Sequence, residues 1–95
     1  MSKGYVYLLT NKWNTTVYTG VTSNLRKRIY EHREGLSDGF SKRYKLHKLV
    51  YFEILDSIEE AISREKQIKA GSRGKKLRLI KEENPNFQDL YEQIQ

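Results

Sequence analysis

Tyr5-Val6-Tyr7-Leu8-Leu9 is an aromatic and branched run ending at Thr10-Asn11, and Thr15-Thr16-Val17-Tyr18-Thr19 follows a polar stretch that includes Asn14. Short runs of this composition separated by turn formers predict an antiparallel hairpin. Strand alternation places Tyr5, Tyr7 and Leu9 on one face and Val6 and Leu8 on the other. Gly20 is expected to break the second strand. Asn24 is placed to cap a helix from Leu25 to about Glu34, closed by Gly35. At 100° per residue, Leu25, Ile29 and Leu36 share one stripe of that helix, with His32 inside it and Arg28 on its border.

Residues 35–47 are mostly polar and predict a loop with a short helical turn near Lys42. Lys48-Leu49-Val50-Tyr51-Phe52-Glu53-Ile54-Leu55 is a third strand, whose near-continuous apolar run predicts a central, well-covered position. Ser57-Ile58-Glu59-Glu60 is a capping-box signature for a helix that runs to Ala70 and stops at Gly71. Its stripe is Ile58, Ala61, Ile62 and Ile68, and Glu65 falls near the centre of it. A further helix from Lys75 to about Glu83 ends before Asn84-Pro85, and Asp89 to Ile94 predicts a last short helix. The pattern is therefore α+β: a small three-stranded antiparallel sheet flanked by helices, in the order β-β-α-β-α-α.

A length of 95 residues with one proline and no linker predicts one domain over 1–95, with a core at about 5–80 and an extension at 84–95. Lys and Arg number 18 against 12 Asp and Glu, a net charge of +6, which suits a polyanionic partner. The positives cluster, and Arg26, Lys27, Lys42, Arg43, Lys69 and Lys75 are candidate contacts to nucleic acid. Solvated helix faces are the plainer explanation of any one cluster, since Glu31, Glu34, Glu82 and Glu83 dilute them. Tyr30, Tyr44 and Tyr51 interleave with the basic residues and could stack on bases or belong to the core. The absence of cysteine excludes disulfides and thiolate metal sites, fits a reducing compartment, and leaves oxygen or imidazole as metal ligands. The YVYLL run is too short for a signal or membrane segment, so a soluble cytoplasmic protein is expected.

Three groups of residues could carry chemistry. Glu65 in an apolar stripe needs a partner, because a lone buried carboxylate costs several kcal/mol unless it is paired, protonated or metal-bound. A divalent metal or an ion pair with a nearby Arg or Lys would each resolve that conflict. Arg28 and His32 are four apart and project together from their helix. A guanidinium there can grip a phosphate, and an imidazole can bind it, relay a proton or steady a tyrosine. Tyr7 and Tyr18 can meet across the hairpin, either as core packing or as phenols that act on water; a free phenol, with a pKa of about 10, would need a local shift to serve as base.

The order YVY, ten residues, YTG, then Arg28 and His32, then RExxIK at Arg64–Lys69 resembles the GIY-YIG nuclease superfamily, in particular its small stand-alone single-domain branch. The resemblance spans roughly Tyr5 to Ile80. It implies catalytic roles for Tyr7, Tyr18, Arg28 and His32, a structural turn at Gly20, and a single Mg²⁺ or Mn²⁺ held by Glu65. It also implies a metal-dependent endonuclease acting on DNA in repair or processing, with attack by an activated water leaving 5′-phosphate and 3′-hydroxyl ends. Either tyrosine could be the proton acceptor. Tyr5 and Val6 replace the Gly-Ile of the first motif, Thr19 replaces the Ile of the second, and Val21 stands where the excision-repair branch has a lysine. Asn84 and Asn86 are candidates for an asparagine found near the domain's end in many members. A lone domain lacks the targeting units of larger relatives, which leaves targeting to a protein partner. The alternative is a nucleic-acid-binding module on the same fold that does not cut.

Overall fold

The computed structural model describes residues 3–36 and 39–95. Strands β1 (Gly4–Thr10) and β2 (Val17–Thr22) form the hairpin, followed by helices α1 (Leu25–Arg33) and α2 (Gly39–Arg43). Strand β3 (Lys48–Leu55), helices α3 (Ile58–Lys69) and α4 (Arg73–Glu83), and a 3₁₀ turn at Tyr91–Ile94 complete the chain. The fold is α+β with one antiparallel sheet, as the sequence pattern predicts. The short α2 realises the helical turn expected near Lys42, and the expected final helix is only this 3₁₀ turn.

The strand order is β2-β1-β3, so β1 is central and β3 lies at an edge. This corrects the central position expected for β3. Its apolar run is continuous because Leu49 packs on the α1 side of the sheet and Val50 on the α3 side, next to an irregularity in pairing at Leu8/Leu9. The edge is also covered locally: Leu90 N–H donates to the Leu49 carbonyl at 2.8 Å and the Asn84 amide to the Val50 carbonyl at 3.0 Å. An edge capped in this way can carry the residues of a buried strand.

Alternation along β1 divides the core in two. Val6 and Leu8 face Val50, Ala61, Ile68 and Ile80, whereas Tyr7 and Leu9 face Leu25, Ile29, Leu46 and Leu49. Helix α3 is fixed to the first face by Arg64, whose Nε and Nη2 each donate to Glu53 at 2.9 Å. Tyr51 donates its hydroxyl to the same carboxylate, so it is a buried structural residue and is not available to stack on bases.

Helix α1 opens at Asn24, whose side chain accepts from Lys27 N–H, and closes with Gly35 at φ +70°. The backbone bonds Leu36 N to Glu31 O and Gly35 N to His32 O form the paired closure that a left-handed glycine allows. That turn throws Leu36 out of the predicted stripe, leaving it 68% exposed, and His32 takes the buried place beside Leu25 and Ile29. The capping serine of α3, Ser57, accepts from Glu60 N–H, and Ser72 starts α4 two residues earlier than expected by accepting from Lys75 N–H.

Candidate active site

Gly20 does not break β2; it sits within it, directly opposite Tyr7. A Cβ at Gly20 would fall 2.8 Å from Tyr7 Cε1 and closer still to Cζ and the hydroxyl. The glycine is therefore the space through which the Tyr7 ring crosses the neighbouring strand. Gly20→Ala is expected to displace a buried ring and cost about 1–3 kcal/mol, as overpacking does. Denaturant unfolding checks the stability loss, and near-ultraviolet circular dichroism checks the movement of the tyrosine.

Tyr7 is almost wholly buried, and its hydroxyl lies 3.0 Å from His32 Nε2. The other ring nitrogen of His32, Nδ1, is 2.6 Å from Ser41 Oγ on α2. Tyr18 pairs across the hairpin with Leu9, so it approaches Tyr7 on the diagonal, with ring centroids 6.4 Å apart, and packs edge-on to His32 at 5.8 Å. Phe40 stacks on Tyr18 at 6.0 Å and touches Tyr44 at 4.6 Å, extending the aromatic row outward along α2. Phe40 and Ser41 were not legible in the sequence: they lie in a polar segment with no periodic signal, and only folding brings them beside Tyr18 and His32.

Burial pushes the Tyr7 phenol up to about 12, although the Arg28 guanidinium beside it pulls the other way; Tyr18 and the Glu65 carboxylate add to the rise. Burial lowers His32 to about 4, reinforced by the positive charge of Arg28. At neutral pH the two hydrogen-bonded side chains are therefore an uncharged phenol and an uncharged imidazole. Arg28 stays charged: burial alone would lower its pKa, but Tyr7 and Glu31 outweigh it. Its guanidinium donates to Glu31 at 3.2 Å and its side chain keeps 34% exposure, enough to meet an incoming anion.

The side chain of Glu65 is 14% exposed and pairs with Lys69 at 3.6 Å, the one polar partner it has among the described residues. Its burial agrees with its place in the stripe, whose outer member Ile62 is exposed. Among the described residues there is no group of three or more His, Asp or Glu side chains arranged to hold a metal. A carboxylate oxygen largely removed from water and loosely paired fits a hard divalent cation completed by water, a site with one protein ligand. The same pair makes the exposed Lys69 a neighbour of that carboxylate; Lys27, Lys42 and Lys75 are exposed too, as is Arg43, which lies over the Tyr44 ring at 5.8 Å. Arg26 is also exposed, and its Nε donates to the Ile94 carbonyl at 3.3 Å. Asn84 caps α4 and spends its amide on Val50 and Gln88, at the β3 edge and not beside Tyr7; Asn86 is exposed in the turn that follows.

A strand tyrosine crossing a glycine gap, joined to a helix arginine and histidine and close to a helix carboxylate, defines a compact polar site at the β2 side of a small α+β sheet. A family model described as the GIY-YIG catalytic domain matches residues 3–78, and the chain belongs to this nuclease-domain family. It is 45% identical over 86 residues to a UPF0213 protein of Syntrophus aciditrophicus, covering 90% of this chain and 97% of that one. A UPF0213 protein of Staphylococcus saprophyticus is 40% identical, with 86% and 99% covered. The solution NMR structure of a UPF0213 protein from Bacillus halodurans superimposes with a TM-score of 0.58 at 30% identity, covering 92% of each chain.

Proposed function

We propose that the protein is a divalent-metal-dependent endonuclease that hydrolyses phosphodiester bonds, those of DNA in repair or processing, in the cytoplasm. The observation that carries this reading is the buried Tyr7 phenol, hydrogen-bonded to His32 and within the influence of both the Arg28 and the Glu65 charges. Glu65 would hold Mg²⁺ or Mn²⁺, which when bound supplies positive charge to the phosphate and the leaving oxygen. Arg28 grips a non-bridging oxygen and offsets the charge that develops on the phosphorane-like transition state. Tyr7, held protonated by burial, is not a base on its own at neutral pH. In the tautomer with Nδ1–H donated to Ser41, His32 Nε2 accepts from the phenol and fixes the direction of its O–H, which leaves a lone pair of the Tyr7 oxygen to accept from the attacking water and orient it. Tyr18, one diagonal step away, is the other candidate acceptor. The products are 5′-phosphate and 3′-hydroxyl ends, and the exposed Lys27, Lys42, Arg43 and Lys75, with Arg26 and Lys69, supply the electrostatic footing for the strand. A protein partner supplies targeting.

The Lys69 pair, which satisfies Glu65 without a metal, favours a second reading: a nucleic-acid-binding module that does not cut. Incubating the protein with nicked, flapped, branched and single-stranded DNA, and with RNA, in Mn²⁺ or EDTA separates the two. Cleavage only with metal is the expected result. Salt-dependent binding without cleavage would select the module, and neither binding nor cleavage would retire both.

A further inference from the structure

The turn between β1 and β2 carries the chain's one tryptophan, Trp13, at 66% exposure. The loop beneath it is built to be rigid. Asn11 Oδ1 accepts from the backbone N–H of Thr15 at 2.8 Å and of Thr16 at 3.2 Å, while its amide donates to Thr15 Oγ1 at 2.7 Å. Thr10 Oγ1 donates to Asn14 Oδ1 at 3.1 Å, and Asn14 takes the left-handed φ of +59° that the tight reversal needs. An indole held largely in water on a fixed loop adds nothing to either core cluster.

Trp13 lines a concavity with Asn11, Lys12, Lys45, His47 and Lys48. The Lys12 ammonium sits 4.9 Å from the indole centroid, a cation–π contact. Of the other lining charges, Arg33 and Asp89 neutralise each other at 2.5 Å, which leaves three lysines facing one carboxylate, Glu34. The cavity therefore combines a flat aromatic surface with excess positive charge. That pairing matches a base and its phosphate better than an apolar peptide, which would not require the lysines, or an acidic one, which would not require the indole.

Its position connects it with the candidate active site. Tyr18 pairs with Leu9 on β1, and Asn11, the first residue after that strand, lies two residues beyond Leu9 and four beyond Tyr7, rises of about 7 and about 13 Å. We infer that Trp13 and the lysines around it form a nucleotide subsite that stacks an unstacked base and anchors its phosphate, holding the strand so that a phosphodiester further along it reaches Tyr7 and Arg28. This subsite rests on the nuclease reading above, and nothing in that reading requires Trp13.

Because Trp13 is the one tryptophan, its emission reports on the subsite alone. A short fluorescein-labelled oligodeoxynucleotide is titrated in EDTA, with binding followed by the anisotropy of the label and, in parallel with unlabelled strand, by tryptophan emission. The expected result is quenching with the same midpoint as the anisotropy rise, affinity about tenfold weaker in Trp13→Ala, and near-full affinity in Trp13→Phe. Both variants alter an exposed side chain and are expected to melt like the parent. A rise in anisotropy without change in emission, or undiminished affinity in Trp13→Ala, overturns the subsite and leaves the nuclease reading standing. Absence of binding by either signal overturns the subsite, and together with absence of metal-dependent cleavage it overturns the nuclease reading as well.

Discussion

Glu65→Gln and Arg28→Ala are each expected to abolish metal-dependent cleavage while leaving the protein folded. Glutamine keeps the size of the Glu65 side chain, so its packing in the α3 stripe survives, and only the charge facing Lys69 and the site is lost. Arg28 packs against Tyr7 from the border of α1, but its side chain is 34% exposed and its ion pair with Glu31 spans one turn of helix, so truncation removes little stability. On the proposed mechanism its removal takes away a cation that offsets developing negative charge, an effect on the order of 10²–10³ in rate; Glu65→Gln, which removes the carboxylate proposed to hold the metal, is expected to cost at least about as much. Single-turnover cleavage measures both, with circular dichroism as the control for folding. A second readout separates the roles: Mn²⁺ should raise the melting temperature of the parent and of Arg28→Ala but not of Glu65→Gln, because a ligand that binds only the folded state stabilises it. Cutting retained by both variants would remove Glu65 and Arg28 from the chemistry, and an unchanged Mn²⁺ response in Glu65→Gln would place the metal elsewhere.

Much of the fold was legible because its signals are local. The alternation in Tyr5–Leu9, the capping residues Asn24 and Ser57, and the closing Gly35 each act over a few residues, and each element formed where they placed it. Strand order was not legible, because the apolar run of β3 reports coverage and not neighbours. The C-terminal segment around Asn84 and Leu90 supplies that coverage from more than thirty residues away. Glu65 could be singled out because a carboxylate in an apolar stripe contradicts its own surroundings. Ser41 carries no such contradiction: a serine in a polar segment looks ordinary until α2 folds back and sets it 2.6 Å from His32. Gly20 was visible as a residue but misread in role, since a steric gap depends on what crosses it, and the Tyr7 ring is assigned to that gap only by the register of β1 against β2.

The buried position of His32 makes a further expected result distinct from the catalytic one: the protein should lose stability steeply as pH falls below neutrality, before its carboxylates titrate. His32 is 1% exposed, and its pKa falls from 6.5 to about 4 because burial, and then Arg28, disfavour the imidazolium. Between those two values the unfolded chain binds a proton that the folded chain refuses, so the contribution of this residue is complete above pH 6.5 and is lost as pH falls towards about 4. At 1.36 kcal/mol per pH unit the loss amounts to about 3 kcal/mol. Glu53, held low by Arg64, loses its contribution only at more acidic pH, so the two do not overlap in the upper part of the window. Urea unfolding at a series of pH values is the measurement, with His32→Gln as the control: the variant starts less stable but should run flat where the parent slopes. Parallel profiles would mean that His32 is not held neutral by burial. The same neutrality bears on cleavage, because an imidazole that stays uncharged down to about pH 4 beside a phenol that stays protonated up to about 12 gives no titration near pH 6.5. A single-turnover rate profile with a step at that pH would show that His32 is free to ionise during the proposed cleavage and that the Tyr7–His32–Ser41 hydrogen-bond chain is not neutral there.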